Sequence, residues 1–192
     1  MEKAINILLA DDHLLVRNGI KSLLEEESYL HVVGEAANGQ EALDLAKKIQ
    51  PDLLIIDVRM PVMDGIEAVG HLKNYAPETK AIVLSMHDSE EYILKSIKAG
   101  ASGYLLKDTG KAEFLKAIKT IYQGGKYFSG DISNVIVSNY LQNAVPAERP
   151  MSSPDNAAKL TRKEIEILHF ILSGMTNTEI SDRLGKSKRT IE

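Results

Sequence analysis

The 192-residue sequence contains no cysteine, no long hydrophobic run and no tandem repeat of the solenoid type. Without cysteine the chain forms no disulfide, thiolate zinc site or cysteine nucleophile, which fits a reducing, cytoplasmic compartment. No stretch approaches the roughly 18 consecutive apolar residues that a membrane-spanning helix needs. The first apolar stretch, residues 4–10, is cut by Asp11, which argues against a secretory signal.

The chain also lacks the positive charge that nucleic-acid binding favours, since its net charge is −4. That total averages two unlike segments. Residues 159–192 contain seven Lys and Arg against five Asp and Glu, a net charge of +2, and the remaining residues carry −6. With 44% apolar residues the chain can close at least one hydrophobic core. The charge asymmetry predicts a larger acidic region and a small basic one.

Residues 1–126 alternate two kinds of segment. Short runs rich in Ile, Val and Leu cover residues 4–10, 31–36, 53–57, 81–85 and 103–106. Segments with helical spacing of apolar residues lie between and after them, separated by turn signals. This alternation predicts five βα units, that is, a parallel sheet with right-handed crossovers and helices on both faces. Ligands of such sheets bind beyond the carboxyl ends of the strands.

The region after residue 126 has a different pattern. Residues 131–143 predict one amphipathic helix. Residues 144–158 contain three prolines and no periodicity, which predicts a flexible tether. The predicted organisation is therefore a first domain over residues 1–126, a linker over 127–158 and a small helical domain over 159–192.

The last segment, residues 159–192, has the pattern of a small all-α domain. Thr161 and Glu164 have capping-box spacing at the start of a first helix. Two glycine-containing turns separate this helix from a second, over about residues 177–184, and the second from a third that begins near Ser187.

Polar side chains stand at or just after the predicted carboxyl ends of four strands: Asp11, Asp12, Asp57, Ser85 and Lys107. If the strand order is 2-1-3-4-5, the first and third strands are neighbours and the three carboxylates meet. Such carboxylates repel one another unless a cation neutralises them, and an all-oxygen site favours Mg²⁺.

A carboxylate beside a metal, an ammonium group and a hydroxyl suits phosphoryl transfer. In this interpretation Asp57 attacks phosphorus, the cation and Lys107 neutralise the equatorial oxygens, and Ser85 donates a hydrogen bond. The simpler alternative is that the acidic residues are helix caps and that Lys107 is a solvated loop cation.

Four segments resemble the receiver domain of bacterial two-component response regulators: LLADDH at 8–13, LIIDVRMPVMDG at 54–65, VLSMH at 83–87 and GYLLKD at 103–108. The resemblance implies a flavodoxin-like (βα)5 fold with Asp57 as phosphoacceptor for a sensor histidine kinase. It implies Mg²⁺ bound by Asp12, Asp57 and the backbone carbonyl of Arg59, with Asp11 binding directly or through water.

The same resemblance implies a switch pair. Ser85 moves toward the phosphoryl group and Tyr104 rotates into the space vacated, so the face of the fourth helix, fifth strand and fifth helix is remodelled. Arg59 and His87, each two residues past a site residue, are candidates for tuning hydrolysis of the acyl phosphate, or else solvated rim side chains. The protein is expected to signal and not to act as an enzyme, beyond its own phosphotransfer and slow magnesium-dependent dephosphorylation.

Three further segments resemble the LuxR-type helix-turn-helix domain of the NarL/FixJ class: LTRKEIEIL at 160–168, GMTNTEISDRL at 174–184 and SKRTI at 187–191. The resemblance implies a cytoplasmic regulator that dimerises on phosphorylation and binds promoter DNA. The candidate DNA contacts are Lys186, Lys188, Arg189 and Thr190. The family's domain has four helices, so we expect most of the recognition helix and the final helix to lie past Glu192.

Two other function classes stay open. One is a metal-dependent phosphohydrolase that forms an aspartyl phosphate, although such enzymes usually have an acid two residues after the nucleophile, where this chain has Arg59. The other is a signalling module that acts through protein contacts without DNA.

Overall fold

A computed structural model describes residues 4–86, 89–144, 167, 169–171 and 174–184. A single sheet runs through it, with strands β1 (Ile5–Ala10), β2 (Leu30–Ala36), β3 (Leu53–Asp57), β4 (Lys80–Ser85), β5 (Gly103–Leu106) and β6 (Tyr127–Phe128). All neighbours pair in parallel, in the order β2-β1-β3-β4-β5-β6. The predicted α/β class and the order 2-1-3-4-5 are confirmed, and a sixth strand extends the sheet.

Six of the described helices pack on the two faces of this sheet: α1 (Leu14–Glu25), α2 (Gly39–Ile49), α3 (Gly65–Tyr75), α4 (Glu90–Ala99), α5 (Lys111–Tyr122) and α6 (Gly130–Ala144). A further helix, α7 (Asn177–Leu184), lies near the C-terminus. Residues of α2, α3, α4 and α6 share one buried cluster with the sheet, and residues of α1 and α5 share the other. Within the described ranges, no helix combines the length and apolar character needed to span a bilayer.

Strand β3 is the centre of the core. Its residues alternate between the two clusters, with Leu54 and Ile56 on one side of the sheet and Leu53 and Ile55 on the other. All four are completely buried, because helices pack on both faces of a parallel sheet. Asp57, the last residue of β3, is therefore held by a rigid element.

Strand β6 and helix α6 continue the structure past residue 126. Tyr127 and Phe128 pair with Gly103 and Tyr104 of β5, and Asn139 Nδ2 of α6 donates to Glu90 Oε1 of α4 at 2.9 Å. The helix predicted over 131–143 corresponds to α6, whereas no strand was predicted here, because two residues are too short to show a period. The domain boundaries themselves stay predictions.

The described part of the C-terminal region lies against this extension. Gly174 has a φ of 77°, and a Cβ atom there would approach the Tyr127 ring to 2.8 Å. His169 Nε2 lies 3.3 Å from Asn134 Oδ1 of α6. Helix α7 begins with a reciprocal capping box, in which Thr176 N donates to Glu179 Oε2 and Glu179 N donates to Thr176 Oγ1.

Several predicted features fall outside the described residues. These are residues 145–158 of the tether predicted over 144–158, the capping pair Thr161 and Glu164, and the third helix from Ser187. The first predicted tether residue, Ala144, is instead the last residue of α6. The second helix predicted over about 177–184 coincides with α7.

Candidate functional site

Three carboxylates converge at the carboxyl edge of the sheet. Asp11 and Asp12 follow β1, and Asp57 ends β3, which pairs with β1 through Ala10 and Ile56. One oxygen from each carboxylate and one ring nitrogen of His13 all lie within 4.8 Å of one another. Asp11 and Asp57 are 1% and 5% exposed, so two of the three negative charges are largely removed from water.

Lys107 is the cation of this cluster. Its Nζ atom lies 2.7 Å from Asp11 Oδ2 and 2.9 Å from Asp57 Oδ2, and its side chain is 7% exposed. Its backbone N–H donates to the Ser85 carbonyl at 2.8 Å, which fixes the β5–α5 loop beside β4. The three carboxylates and this one ammonium group leave two negative charges uncompensated.

Burial sets the electrostatics of the pair that Asp57 forms with Lys107. Burial raises the pKa of the Asp57 carboxyl, and this outweighs the opposing hydrogen bond from Lys107; the nearby negative charge of Asp11 raises it further. For Lys107, burial alone lowers the pKa, but the hydrogen bonds to Asp11 and Asp57 raise it overall. Lys107 therefore stays protonated at neutral pH, and the ionised Asp57 carboxylate gains from any additional cation.

A cavity of about 120 Å³ opens beside these groups. It is lined by His13, Asp57, Val58, Arg59, Ser85, Met86, Tyr92 and Lys107. Ser85 is buried at the end of β4, so the predicted hydroxyl, carboxylate and ammonium groups border one space. Tyr104 is fully buried on β5, in the cluster that includes Phe128 and Ile132. His87 and the candidate DNA contacts Lys186, Lys188, Arg189 and Thr190 lie outside the described residues.

Arg17, which no sequence motif indicated, supports the acidic loop. Its guanidinium donates to the Asp11 carbonyl and, through Nε at 3.0 Å, to Glu35 Oε2 of β2. Lys21, one turn further along α1, donates to the other Glu35 oxygen at 2.7 Å. The i, i+4 spacing of these two cations was visible in the sequence, but it did not identify the strand that faces them.

We expect Glu35→Gln to weaken this support in a pH-dependent way. The hydrogen bond from Lys21, aided by that from Arg17, holds the pKa of the Glu35 carboxyl below its usual 4.5, although partial burial opposes this. Stability from a lowered carboxyl pKa is present above the unfolded-state pKa and is lost as the pH falls through the folded-state pKa. In urea unfolding at neutral pH, the free energy of unfolding of the variant should be about 1 kcal/mol below that of the wild type. This difference should vanish in strong acid.

Glu91→Gln is the matched control for that measurement. Glu91 pairs with Lys95 within α4, and both side chains are well exposed to solvent. Removal of this pair should leave the unfolding curve unchanged. A loss for Glu35→Gln that persists in strong acid would contradict an ionic origin.

Tyr92 is a second residue that the sequence did not indicate. It lies in α4, and its hydroxyl accepts hydrogen bonds from Arg59 Nη2 at 2.7 Å and Nε at 3.2 Å. The guanidinium carbon is also 5.5 Å from the centroid of the Tyr92 ring. Arg59 thus contacts α4 through a residue that lines the same cavity.

Two protein families match this chain. Residues 7–119 match the response regulator receiver domain, and residues 158–192 match the luxR family of bacterial regulatory proteins. The first match spans the sheet edge with its acidic cluster, and the second spans α7. The strand order and the two domain types found from the sequence thus agree with these families.

Individual proteins are similar to most of this chain. The transcriptional regulatory protein MctR of Rhizobium johnstonii is 36% identical over 188 residues, covering 98% of this chain and 82% of MctR. A LuxR-family two-component response regulator from Aurantimonas sp. SI85-9A1 superposes with a TM-score of 0.68 at 34% identity, over 72% of this chain and 99% of that one. A structure of RcsB dimers bound to DNA superposes with a TM-score of 0.65 at 26% identity, and the match covers 98% of this chain and 87% of that one. The chain therefore belongs to the two-component response regulators that join a receiver domain to a LuxR-type DNA-binding domain.

Proposed function

We propose that Asp57 accepts a phosphoryl group from the phosphohistidine of a sensor histidine kinase, and that this modification controls dimerisation and the binding of promoter DNA in the cytoplasm. The main support is the buried Asp57 carboxylate, which shares Lys107 with the buried Asp11 and borders a cavity of about 120 Å³. A carboxylate with excess negative charge around it is poised to gain from a bound cation and a positioned electrophile.

In the transfer step, an Asp57 carboxylate oxygen attacks phosphorus and forms a P–O bond. The P–N bond of the phosphohistidine breaks, and the leaving imidazole nitrogen keeps the electron pair and takes up a proton from solvent. Lys107 Nζ, already 2.9 Å from Asp57 Oδ2, donates to the transferred oxygens. Ser85, buried on the same cavity, supplies a hydroxyl donor.

The donor set at this edge fits Mg²⁺. Asp11, Asp12 and Asp57 offer hard oxygen ligands within 4.8 Å of one another. The two negative charges that remain after pairing with Lys107 match a divalent cation. Asp12 is partly exposed, which leaves one side of the cluster to water molecules that Mg²⁺ usually retains. Together with the Arg59 carbonyl, these residues would hold the ion, which would neutralise phosphoryl oxygens.

Tyr104 is the residue through which we expect the site to influence the edge of the sheet. It is fully buried on β5, where it pairs with Val83 of β4 and Phe128 of β6. If Ser85 moves toward a phosphoryl group, the Tyr104 ring takes the space vacated, and its neighbours in β6 and α6 adjust. Because the described C-terminal residues contact β6 and α6, this repacking would alter how the DNA-binding domain is held.

Incubation with acetyl phosphate and Mg²⁺ tests the acceptor. We expect one phosphoryl group on the wild-type protein and none on Asp57→Asn, measured by intact-protein mass. Asp44→Asn, which changes an exposed carboxylate on α2, should be labelled like the wild type. Equal labelling of Asp57→Asn would refute the assignment, and rapid turnover of a phosphomonoester would favour a hydrolase instead.

A protein phosphodonor is supported by apolar side chains around this edge. Leu14, Leu15, Val62 and Met86 are 57%, 86%, 86% and 72% exposed, and they follow β1, β3 and β4. Exposed apolar groups beside a reactive site favour a macromolecular partner.

We therefore expect Leu15→Ser to lower the transfer rate from the fastest donor in a panel of autophosphorylated histidine kinases by about 10-fold. Labelling by acetyl phosphate should not change, because this small donor does not need the apolar surface. Val33→Ser, at an exposed valine of β2, is the control and should transfer normally. Equal losses with both donors would mean that Leu15 acts on the site itself.

A further inference from the structure

The hydrogen-bonded pair of Arg59 and Tyr92 joins the end of β3 to the first turns of α4. The contact consists of two hydrogen bonds to one neutral phenol oxygen, at 2.7 and 3.2 Å, and a cation–π approach of 5.5 Å. Tyr92 is half-buried and packs on the core cluster, whereas Arg59 is exposed. Packing therefore holds Tyr92 in place, whereas the exposed Arg59 side chain can exchange its hydrogen-bond partner.

The local backbone keeps Arg59 within reach of Asp57. Val58 N donates to the Leu84 carbonyl at 3.0 Å, so hydrogen bonding to β4 continues for one residue past β3, and the chain bends at Val58. Arg59 follows this anchored residue directly. Asp57, Arg59 and Tyr92 line one cavity, which places the Arg59 side chain beside the space that a phosphoryl group on Asp57 would enter.

We propose that Arg59 contacts the phosphoryl group and that Tyr92 is a positioning residue that binds the Arg59 guanidinium before Asp57 is phosphorylated. The guanidinium binds the Tyr92 hydroxyl while Asp57 is free, and it exchanges this partner for phosphoryl oxygens once Asp57 is phosphorylated. This inference rests on the proposed function, because it needs a phosphoryl group on Asp57.

Charge balance explains why the exchange occurs only after phosphorylation. The three carboxylates and Lys107 carry an excess of two negative charges, which a bound divalent cation would cancel. Conversion of the Asp57 carboxylate into an acyl phosphate adds about one further negative charge at neutral pH. One guanidinium compensates this charge, and Arg59 is the exposed cation that already lines the cavity.

The competing partners differ in strength. A guanidinium bonds a neutral hydroxyl more weakly than a charged phosphoryl oxygen, and it can bond two phosphoryl oxygens at once. When Arg59 leaves, α4 loses its bond to the β3–α3 loop. Glu90 at the start of α4 accepts a hydrogen bond from Asn139 of α6. Phosphorylation of Asp57 would therefore also affect α6 through α4.

A double-mutant cycle tests this exchange with beryllofluoride, an analogue of the phosphoryl group, in saturating Mg²⁺. Tyr92→Phe removes only the competing hydroxyl, Arg59→Gln removes the cation but keeps the backbone carbonyl, and the third variant combines both. Tyr75→Phe is the control, because Tyr75 packs on the same core cluster from α3. Affinity is measured by NMR titration, and the Arg59 Nε–H signal is followed with and without beryllofluoride.

We expect Arg59→Gln to bind beryllofluoride about 10-fold more weakly and Tyr92→Phe about 3-fold more tightly. The double variant should match Arg59→Gln, because Tyr92 acts only through Arg59. In the protein without beryllofluoride, Tyr92→Phe should shift the Arg59 Nε–H signal and Tyr75→Phe should not.

Two results would overturn the inference. Wild-type affinity in Tyr92→Phe would mean that the hydroxyl does not compete for Arg59. An equal gain from Tyr92→Phe with and without Arg59 would mean that Tyr92 acts by another route. Failure of the proposed function gives a different result, because then the wild-type protein itself would bind no beryllofluoride.

Discussion

Replacement of Gly65 by alanine should lower the free energy of unfolding by about 3 kcal/mol or more and should also impair labelling of Asp57. A Cβ atom at this position would lie 1.9 Å from the Asp57 carbonyl oxygen and 2.9 Å from the carbonyl carbon. Both atoms belong to the backbone of β3, so no side-chain rotation relieves the clash. Gly65 N also donates to the Val58 carbonyl at 3.0 Å, which ties the start of α3 to this strand end.

Gly70→Ala in the same helix is the matched control. Apart from the backbone of its own helix, no atom lies within 4 Å of a Cβ built on Gly70, and alanine is the better helix former. Its free energy of unfolding should stay the same or rise by up to about 1 kcal/mol. Urea unfolding of both variants measures the difference, and similar stabilities would contradict the close approach of α3 to the end of β3.

Lys107→Met should lower the free energy of unfolding by about 2 kcal/mol at neutral pH in the presence of a chelator. The substitution keeps most of the side-chain volume and removes the ammonium group that lies 2.7 Å from Asp11 and 2.9 Å from Asp57. Two buried carboxylates then face each other without their shared cation. Thermal or urea unfolding in EDTA measures the loss.

The origin of that loss can be separated from a packing defect. Adding Asp57→Asn to Lys107→Met removes one of the two opposed charges, so it should restore most of the lost stability. Acid should do the same, because burial raises the pKa of Asp57 and protonation then removes its charge as the pH falls. If the loss is unchanged in the double variant, a packing defect explains it better than charge repulsion.

Much of the fold was predictable because the parallel strands are buried on both faces. Buried strands such as β3 have nearly continuous apolar sequences, and glycine and Asx signals mark the starts of the helices that follow. Asn38 and Asp64, each directly before a glycine, are N-caps that accept from the N–H groups of Glu41 and Glu67. Once the strand order was assumed, the convergence of Asp11, Asp12 and Asp57 followed from topology alone.

The features that were missed depend on which elements meet in space. Strand β6 has only two residues, and its pairing with β5 depends on the turn after α5. Tyr92 lies 33 residues after Arg59 in the sequence, and the spacing of apolar residues in α4 does not reveal that its hydroxyl reaches the β3–α3 loop. The support that Glu35 gives to Arg17 likewise requires knowledge of which helix crosses β2.

The most direct test of the central claim is to locate the phosphoryl group chemically. After reaction with acetyl phosphate and Mg²⁺, borohydride reduces an aspartyl phosphate to homoserine, and tandem mass spectrometry of the digested protein identifies the converted position. The account predicts conversion at Asp57 alone, with Asp11, Asp12 and Asp64 unchanged. Conversion at another carboxylate, or a label stable to borohydride on a histidine or serine, would contradict it.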